Sequence, residues 1–341
     1  MIPNQWYVVL ESSEVKAGRP VGVTRMGEKL VFWRDSRGQV ACQYDRCAHR
    51  GVALSAGAVV GDSIRCPFHG LEYDLSGRCR LIPANGRAAP VPEQFCVPTY
   101  PTHEAHGLIW IWWGSGAPEP AAPPFFDDLD DTFTYASARD PWTTHYSRVI
   151  ENQLDPAHLP FVHTNTIGRG NRTVVNGPLV QWIHPDLFFV YTWNETDQGQ
   201  LARKPEEMPA PPGPFHLEFL FPNLWENYIG PGVRVLGAFV PVDEEHTLLY
   251  LRFYQRFLRL PLLGPVLARL AMPANVYVAH QDRRVVQTQQ PKRSFLKMGE
   301  KLFPADGPIL AYRRRREELL VRAVGLPGTG EGGRPGESGA G

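Results

Sequence analysis

The sequence predicts an α+β chain: a small all-β domain first, then a larger domain whose antiparallel sheet wraps around a helix. Three observations carry this. Short β-prone runs divided by Gly-containing turns extend from Trp6 to about Trp113. A Pro- and Gly-rich stretch over 114–124 interrupts them. Beyond it, longer strand-like runs are enclosed by helical stretches.

In the first part, 6–10, 29–34, 40–44 and 108–112 are rich in β-branched and aromatic residues, which suit a pleated, half-buried surface. Asp35-Ser36-Arg37-Gly38 and Asp74-Leu75-Ser76-Gly77 are turn signatures. The 114–124 stretch fits neither helix nor strand interior and reads as a linker, placing the domains at 1–116 and 117–324. A helix is expected over 150–162, strands over 187–193, 216–220, 233–240 and 247–253, and helices over 274–289 and 309–324. The 202–214 segment, with five Pro, reads as a mobile loop. The 325–341 tail, mostly Gly, Pro, Glu, Ser and Thr, reads as disordered.

Lys+Arg and Asp+Glu are both 35, so no charge excess points to nucleic acid. No apolar run approaches the ~18 residues of a spanning helix. The nearest, 257–270, carries two Arg and two Pro and reads as a core or pocket-rim segment, with no membrane partner expected. The start, Met1 to Trp6, lacks the basic and apolar features of an export signal, so a cytoplasmic, reducing setting is expected for the five Cys. Cys42, Cys79 and Cys96 are expected as small buried apolar residues.

Two motifs carry chemistry. Cys47-Ala48-His49 and, sixteen intervening residues later, Cys66-Pro67-Phe68-His69 offer two thiolates and two imidazoles. That donor set matches a Rieske [2Fe–2S] centre, in which two His replace two Cys on one iron. A structural Cys2His2 zinc site is the alternative, although zinc modules usually pair like ligands on one knuckle. The second motif is Asn152-x2-Asp155-x2-His158-x4-His163. On a continuous helix Asn152, Asp155 and His158 share one face, with Pro160 loosening the turn before His163. Two imidazoles and a carboxylate with open positions form the facial triad of O2-activating non-haem iron enzymes. Asp155 is the adjacent carboxylate. A distant Asp would close a face more easily, and Asp282 is the best candidate. His145, His184, His216 and His280 have no partner at ligand spacing and read as structural. Phe188, Phe189, Tyr191, Trp193, Phe219, Phe221, Trp225 and Tyr228 supply aromatic surface for a core or an apolar pocket.

Together these residues resemble the oxygenase component of the Rieske non-haem iron oxygenases, from Trp6 to about Val324. The short chain and the wording Leu154-Asp155-Pro156-Ala157-His158 look like the branch containing pheophorbide a oxygenase and aromatic O-demethylases such as vanillate demethylase. The resemblance implies a Rieske β domain on a helix-grip catalytic domain. It implies that Cys47 and Cys66 hold one cluster iron, and His49 and His69 the other. His158, His163 and Asp282 would then bind a mononuclear Fe(II). Asp155, with Asn152 beside it as a second catalytic candidate, would not be a ligand. It would link His158 to His69 of the partner subunit within a head-to-tail homotrimer. The activity implied is insertion of one oxygen from O2 into a small organic substrate, by hydroxylation or O-demethylation. Dihydroxylating members are longer and fit less well. No Gly-rich nucleotide fingerprint lies between a strand and a helix, so NAD(P)H and flavin steps would sit on a separate reductase, with or without a ferredoxin. The competing class is a Rieske electron carrier without oxygen chemistry, which needs neither the His pair nor Asp282.

Overall fold

Apolar alternation and tight turns close the N-terminal runs into three small antiparallel sheets. Gln5–Glu11, Leu108–Trp113 and Thr102–Ala105 form one; Val21–Arg25, Glu28–Arg34, Val40–Tyr44 and Thr99–Tyr100 form another. The third, Ala58–Val60, Ser63–Arg65, Glu72–Tyr73 and Cys79–Leu81, carries the second Cys-His motif at the end of its second strand. The computed structural model describes residues 1–208, 215–258, 260 and 263–324. The 325–341 tail and positions 209–214 of the Pro-rich segment lie outside the described residues.

The second half builds a seven-stranded antiparallel sheet. Its order is Thr134–Trp142, Thr247–Gln255, Val233–Pro241, Leu224–Gly230, His216–Leu220, Leu187–Glu195, Val174–His184. Six strands form a meander, and Thr134–Trp142 closes beside the last of them, so the intervening chain must cross the sheet. That crossing holds helices α1 (Tyr146–Leu154) and α2 (Leu159–Val162). Helices α3 (Leu263–Val286) and α4 (Gly307–Val324) follow the sheet. One sheet face buries Phe219, Phe239 and Leu249 against Val149 and Ile150 of α1, Ala268 and Ala279 of α3 and Tyr312 of α4. The other buries Leu220, Leu236 and Ala238 against Trp6, Val8, Leu108 and Trp110 of the N-terminal part. Each large apolar side chain so buried contributes about 1.5–3 kcal/mol. Asn223, fully buried, donates to the carbonyls of Val8 (3.1 Å) and Phe239 (3.2 Å), joining the two halves. No helix of the described residues is long and apolar enough to cross a membrane.

Several expectations are corrected. The 150–162 helix is two helices. Asp155 is extended (φ −89°, ψ 113°) because Pro156 disfavours the helical region at the residue before it. Asn152, Asp155 and His158 therefore do not share a helix face. Three strands of the seven-stranded sheet went unexpected. Thr134–Trp142 and Val174–His184 contain Pro141 and Pro178, tolerated because both strands lie at sheet edges, the second with a bulge. Leu224–Gly230 is masked in sequence by Glu226 and Asn227. Helix α3 starts eleven residues earlier than expected, continuing through Pro273. Its first turns, and the chain before them, expose Phe257, Leu260, Leu263, Val266 and Leu270, while Gly264 and Ala268 are buried, so of the described residues of 257–270 only part belongs to the core. Cys42 and Cys79 are buried, but Cys96 is exposed, its strand contact reduced to one bridge with Arg78.

Candidate metal centres

The two N-terminal motifs fold into matching loops. The Cys47 N–H donates to the Val52 carbonyl (2.8 Å) and the Gly51 N–H to the Cys47 carbonyl (2.9 Å). Cys66 repeats this with Leu71 (2.8 Å) and Gly70 (3.1 Å). Gly51 and Gly70 sit at φ 75° and 74°, which a side chain would strain. The thiols of Cys47 and Cys66 are buried, whereas His49 and His69 are exposed with their Nδ1 atoms 3.2 Å apart. Burial pushes the Cys66 thiol up, opposed by the backbone N–H of Phe68, with Cys47 beside it adding to the rise. The Tyr73 hydroxyl lies 3.1 Å from the Cys47 Sγ. One tetrahedral zinc ion would draw all four donors around a single point. Among the described residues, two groups bring three donor atoms within 4.8 Å of one another, and these four side chains form neither of them. A buried thiol pair and an exposed imidazole pair suit the two irons of a mixed-ligand cluster.

The first of those two groups is His158, His163 and Asp282. His158 opens α2 and His163 closes it, so one short turn brings the two imidazoles together. Asp282 comes from the far end of the long helix α3 and is buried. Its Oδ1 lies 2.9 Å from His163 Nε2 and 3.3 Å from His158 Nε2, yet receives no well-formed hydrogen bond. The three atoms thus converge on a shared point. Ligand atoms about 2.1 Å from a metal and at right angles to each other are separated by about 3.0 Å, so the donor set fits a facial triad. Burial opposes the Asp282 charge, but the two imidazoles hold its carboxyl down at about 2. The second group, Asp128, Glu218 and Glu226, already holds a cation: Arg234 reaches Asp128 at 2.5 Å and Glu226 at 2.8 Å.

His158, His163 and Asp282 form the polar head of a cavity of about 470 Å³. Its walls, including Val190, Leu217, Trp225, Val235, Phe239 and Leu249, are apolar. Of the aromatic set, Trp225 and Tyr228 reach the cavity, while Phe188, Phe219 and Phe221 belong to the core. His216, read from sequence as structural, also lines the cavity, held by Glu218 at 2.8 Å; a lone His on a strand gave no sign of this. Asp155 caps α1, accepts from the Ala157 N–H at 2.7 Å, and places Oδ2 3.7 Å from His158 Nδ1. Asn152 does not line the cavity, and its Nδ2 is buried without a partner. Its neighbour Gln153, missed from sequence, does line it and reaches Asp282 Oδ2 at 3.4 Å. His145 caps α1 and His280 meets Asp140, both structural positions.

Comparison with known proteins follows the same division. Residues 5–101 match the Rieske [2Fe-2S] domain, and residues 142–322 match the vanillate O-demethylase oxygenase C-terminal domain. The chloroplastic chlorophyllide a oxygenase of Chlamydomonas reinhardtii is 36% identical over 338 residues, covering 94% of this chain and 48% of that protein. The toluene-4-sulfonate monooxygenase system iron-sulfur subunit TsaM1 of Comamonas testosteroni is 35% identical over 174 residues, 49% of this chain and 48% of that one. The chain spans about half the length, or less, of these curated relatives. Among solved structures, Pseudomonas putida CBB5 NdmA superposes with a TM-score of 0.75 at 24% identity, over 95% of this chain and 92% of that one. Dicamba monooxygenase bound to dicamba gives 0.75 at 21%, over 95% and 99%. These two likenesses establish the shared fold.

Proposed function

We propose, because the chain belongs to the Rieske oxygenases with a vanillate O-demethylase-type catalytic domain, that it is a terminal oxygenase acting on an aromatic or cyclic organic substrate by hydroxylation or O-demethylation. The observation that carries this is the convergence of His158, His163 and Asp282 at one end of a largely apolar cavity. A cluster held by the Cys and His pairs would supply electrons and an Fe(II) held by His158, His163 and Asp282 would supply O2 activation, so that with two electrons and two protons one oxygen would enter the substrate and the other leave as water. Cys47 and Cys66 are assigned to one cluster iron, His49 and His69 to the other. His158, His163 and Asp282 are assigned to the Fe(II), with Gln153 steadying the Asp282 carboxylate. The apolar walls hold a ring and exclude water, which favours chemistry on the substrate over loss of reducing equivalents.

Asp155 is proposed as the link between His158 and His69 of the partner subunit. Its carboxylate is part-exposed beside His158, and the exposed His49, Phe68 and His69 form a tip able to meet it in a head-to-tail homotrimer. Electrons would come from a separate NAD(P)H-dependent flavin reductase, with or without a ferredoxin. Five cysteines outside any disulfide, two of them assigned to the cluster, suit a reducing, cytoplasmic setting. The names of the relatives, chlorophyllide a, toluene-4-sulfonate and aminopyrrolnitrin oxygenases among them, support ring-containing substrates. The test is anaerobic purification with iron and sulfide analysis. About three irons and two acid-labile sulfides per chain, then 18O from labelled O2 in the product of a ring-compound screen, are expected. About two irons that added Fe(II) cannot raise would leave an electron carrier, and zinc without sulfide would overturn both.

A further inference from the structure

We infer that Gln281 is a positioning residue for Fe(II): it holds His163 in the tautomer whose Nε2 is free for the metal, leaving His158 as the less constrained imidazole. This rests on the Fe(II) site proposed above.

The two imidazoles differ in what meets their second nitrogen. His163 Nδ1 lies 2.9 Å from Gln281 Oε1. That oxygen also accepts from the Thr166 hydroxyl at 2.7 Å, and Gln281 Nε2 donates to Asn165 Oδ1 at 2.6 Å. Asn165 Nδ2 in turn donates to the Tyr277 hydroxyl at 3.1 Å. In this arrangement every polar atom of the Gln281 amide is used, and its oxygen faces His163 as an acceptor. A ring nitrogen facing an acceptor carries the proton, so Nδ1–H donates and Nε2 keeps its lone pair. On the other side of the ring, Nε2 stands 2.9 Å from Asp282 Oδ1 and faces the point shared with His158. His158 lacks such support: its Nδ1 is buried without a hydrogen-bond partner, and the nearest carboxylate oxygen, on Asp155, is 3.7 Å away.

One helix makes both contacts to His163. Gln281 and Asp282 are successive residues of α3, so the imidazole is addressed on Nδ1 by one and on Nε2 by the other. Tyr277, four residues before Gln281, stands on the same side of the helix. The helix is itself anchored: Arg283 and His280, flanking the pair, both meet the buried Asp140 of the strand Thr134–Trp142. Orientation of a ligating His through its other nitrogen typically changes metal affinity about 10–100-fold.

The experiment uses the purified full-length protein with its cluster intact. The mononuclear iron is removed anaerobically with a chelator and Fe(II) is titrated back. Binding is read by iron analysis and by the electron paramagnetic resonance of the ferrous nitric oxide adduct. Gln281→Leu is expected to bind Fe(II) about 10–100-fold more weakly, with a broadened adduct signal, while the cluster spectrum and thermal midpoint are kept. Gln281→Glu, still an acceptor for Nδ1–H, should recover most of the affinity, and Thr166→Val should fall between. Wild-type affinity in Gln281→Leu overturns the inference. If that variant does not fold, wild-type affinity in Thr166→Val together with full loss in Gln281→Glu overturns it. A wild type that binds no Fe(II) strikes down the functional reading itself, so the two failures are distinct.

Discussion

Replacing Glu151 by Gln breaks the ion-pair network that seats α1, the helix leading into the candidate Fe(II) motif. Glu151 is buried and accepts from Arg148 Nη1 at 3.0 Å and from Arg313 Nε and Nη2 at 2.8 and 2.9 Å. The Gln amide keeps the shape, removes the charge, and turns an N–H toward one of two buried guanidiniums. Removing one partner of a buried pair costs about 3–5 kcal/mol. Here Glu300 still reaches Arg148 at 2.8 Å and Arg313 at 2.7 Å, and the Pro291 carbonyl accepts from Arg148. The loss should therefore lie near the lower end, about 3 kcal/mol, which for a domain of this size lowers the thermal midpoint by about 6–12 °C. Scanning calorimetry of the intact protein measures it. Glu300→Gln, whose carboxylate is part-exposed, should cost less. Because Gln153 sits on the last turn of α1, Fe(II) retention should fall along with the midpoint in Glu151→Gln. A shift below about 2 °C would refute the view that this network holds the helix.

Three further outcomes are expected. Asp155→Asn should keep both metal centres but abolish coupled turnover, checked by iron content and by single-turnover oxidation of the reduced cluster; normal turnover removes Asp155 from the electron path. Tyr73→Phe deletes the hydroxyl 3.1 Å from Cys47 Sγ; with Cys47 as the proposed cluster ligand that contact would stabilise the more negative, reduced cluster, so the midpoint potential should drop by on the order of tens of millivolts in redox titration. Glu226 is pushed up to about 9 by burial, then by Asp128 and Glu218, against the pull of Arg234. Its folded state favours the neutral carboxyl, so its contribution is fully present below the ordinary 4.5 and is lost as pH rises toward 9. Glu226→Gln should flatten the pH dependence of stability by about 1 kcal/mol or more between pH 5 and 9, measured by urea unfolding.

The elements legible in the sequence are those where local chemistry and tertiary context agree. The His216–Leu220 strand was expected with the bounds observed, and the Thr247–Gln255 strand from its first residue, because their apolar pattern serves a sheet buried on both faces. What stayed hidden depended on position in the sheet. Pro141 and Pro178 look like breaks until their strands are known to be edges, which pair on one side only and tolerate a residue without an N–H. The candidate metal residues were visible for a different reason: Cys47 and Cys66 each stand a short step before a His, and His158 and His163 stand close together, so the spacing of donor types stands out. Gln153, His216 and Gln281 carry no such signature. Gln281 matters only because α3 brings it to His163 from 118 positions away, and polar neutral side chains acquire a role from that meeting alone. Pro156 is the instructive middle case. Read as part of a helix, the 150–162 stretch put Asp155 and His158 on one face. Read through the backbone limits proline sets on the residue before it, the same letters predict the break. That break turns Asp155 out of the helix and lets His158 and His163 meet across a single short turn. The residue that spoils the helix is therefore the one that assembles the site.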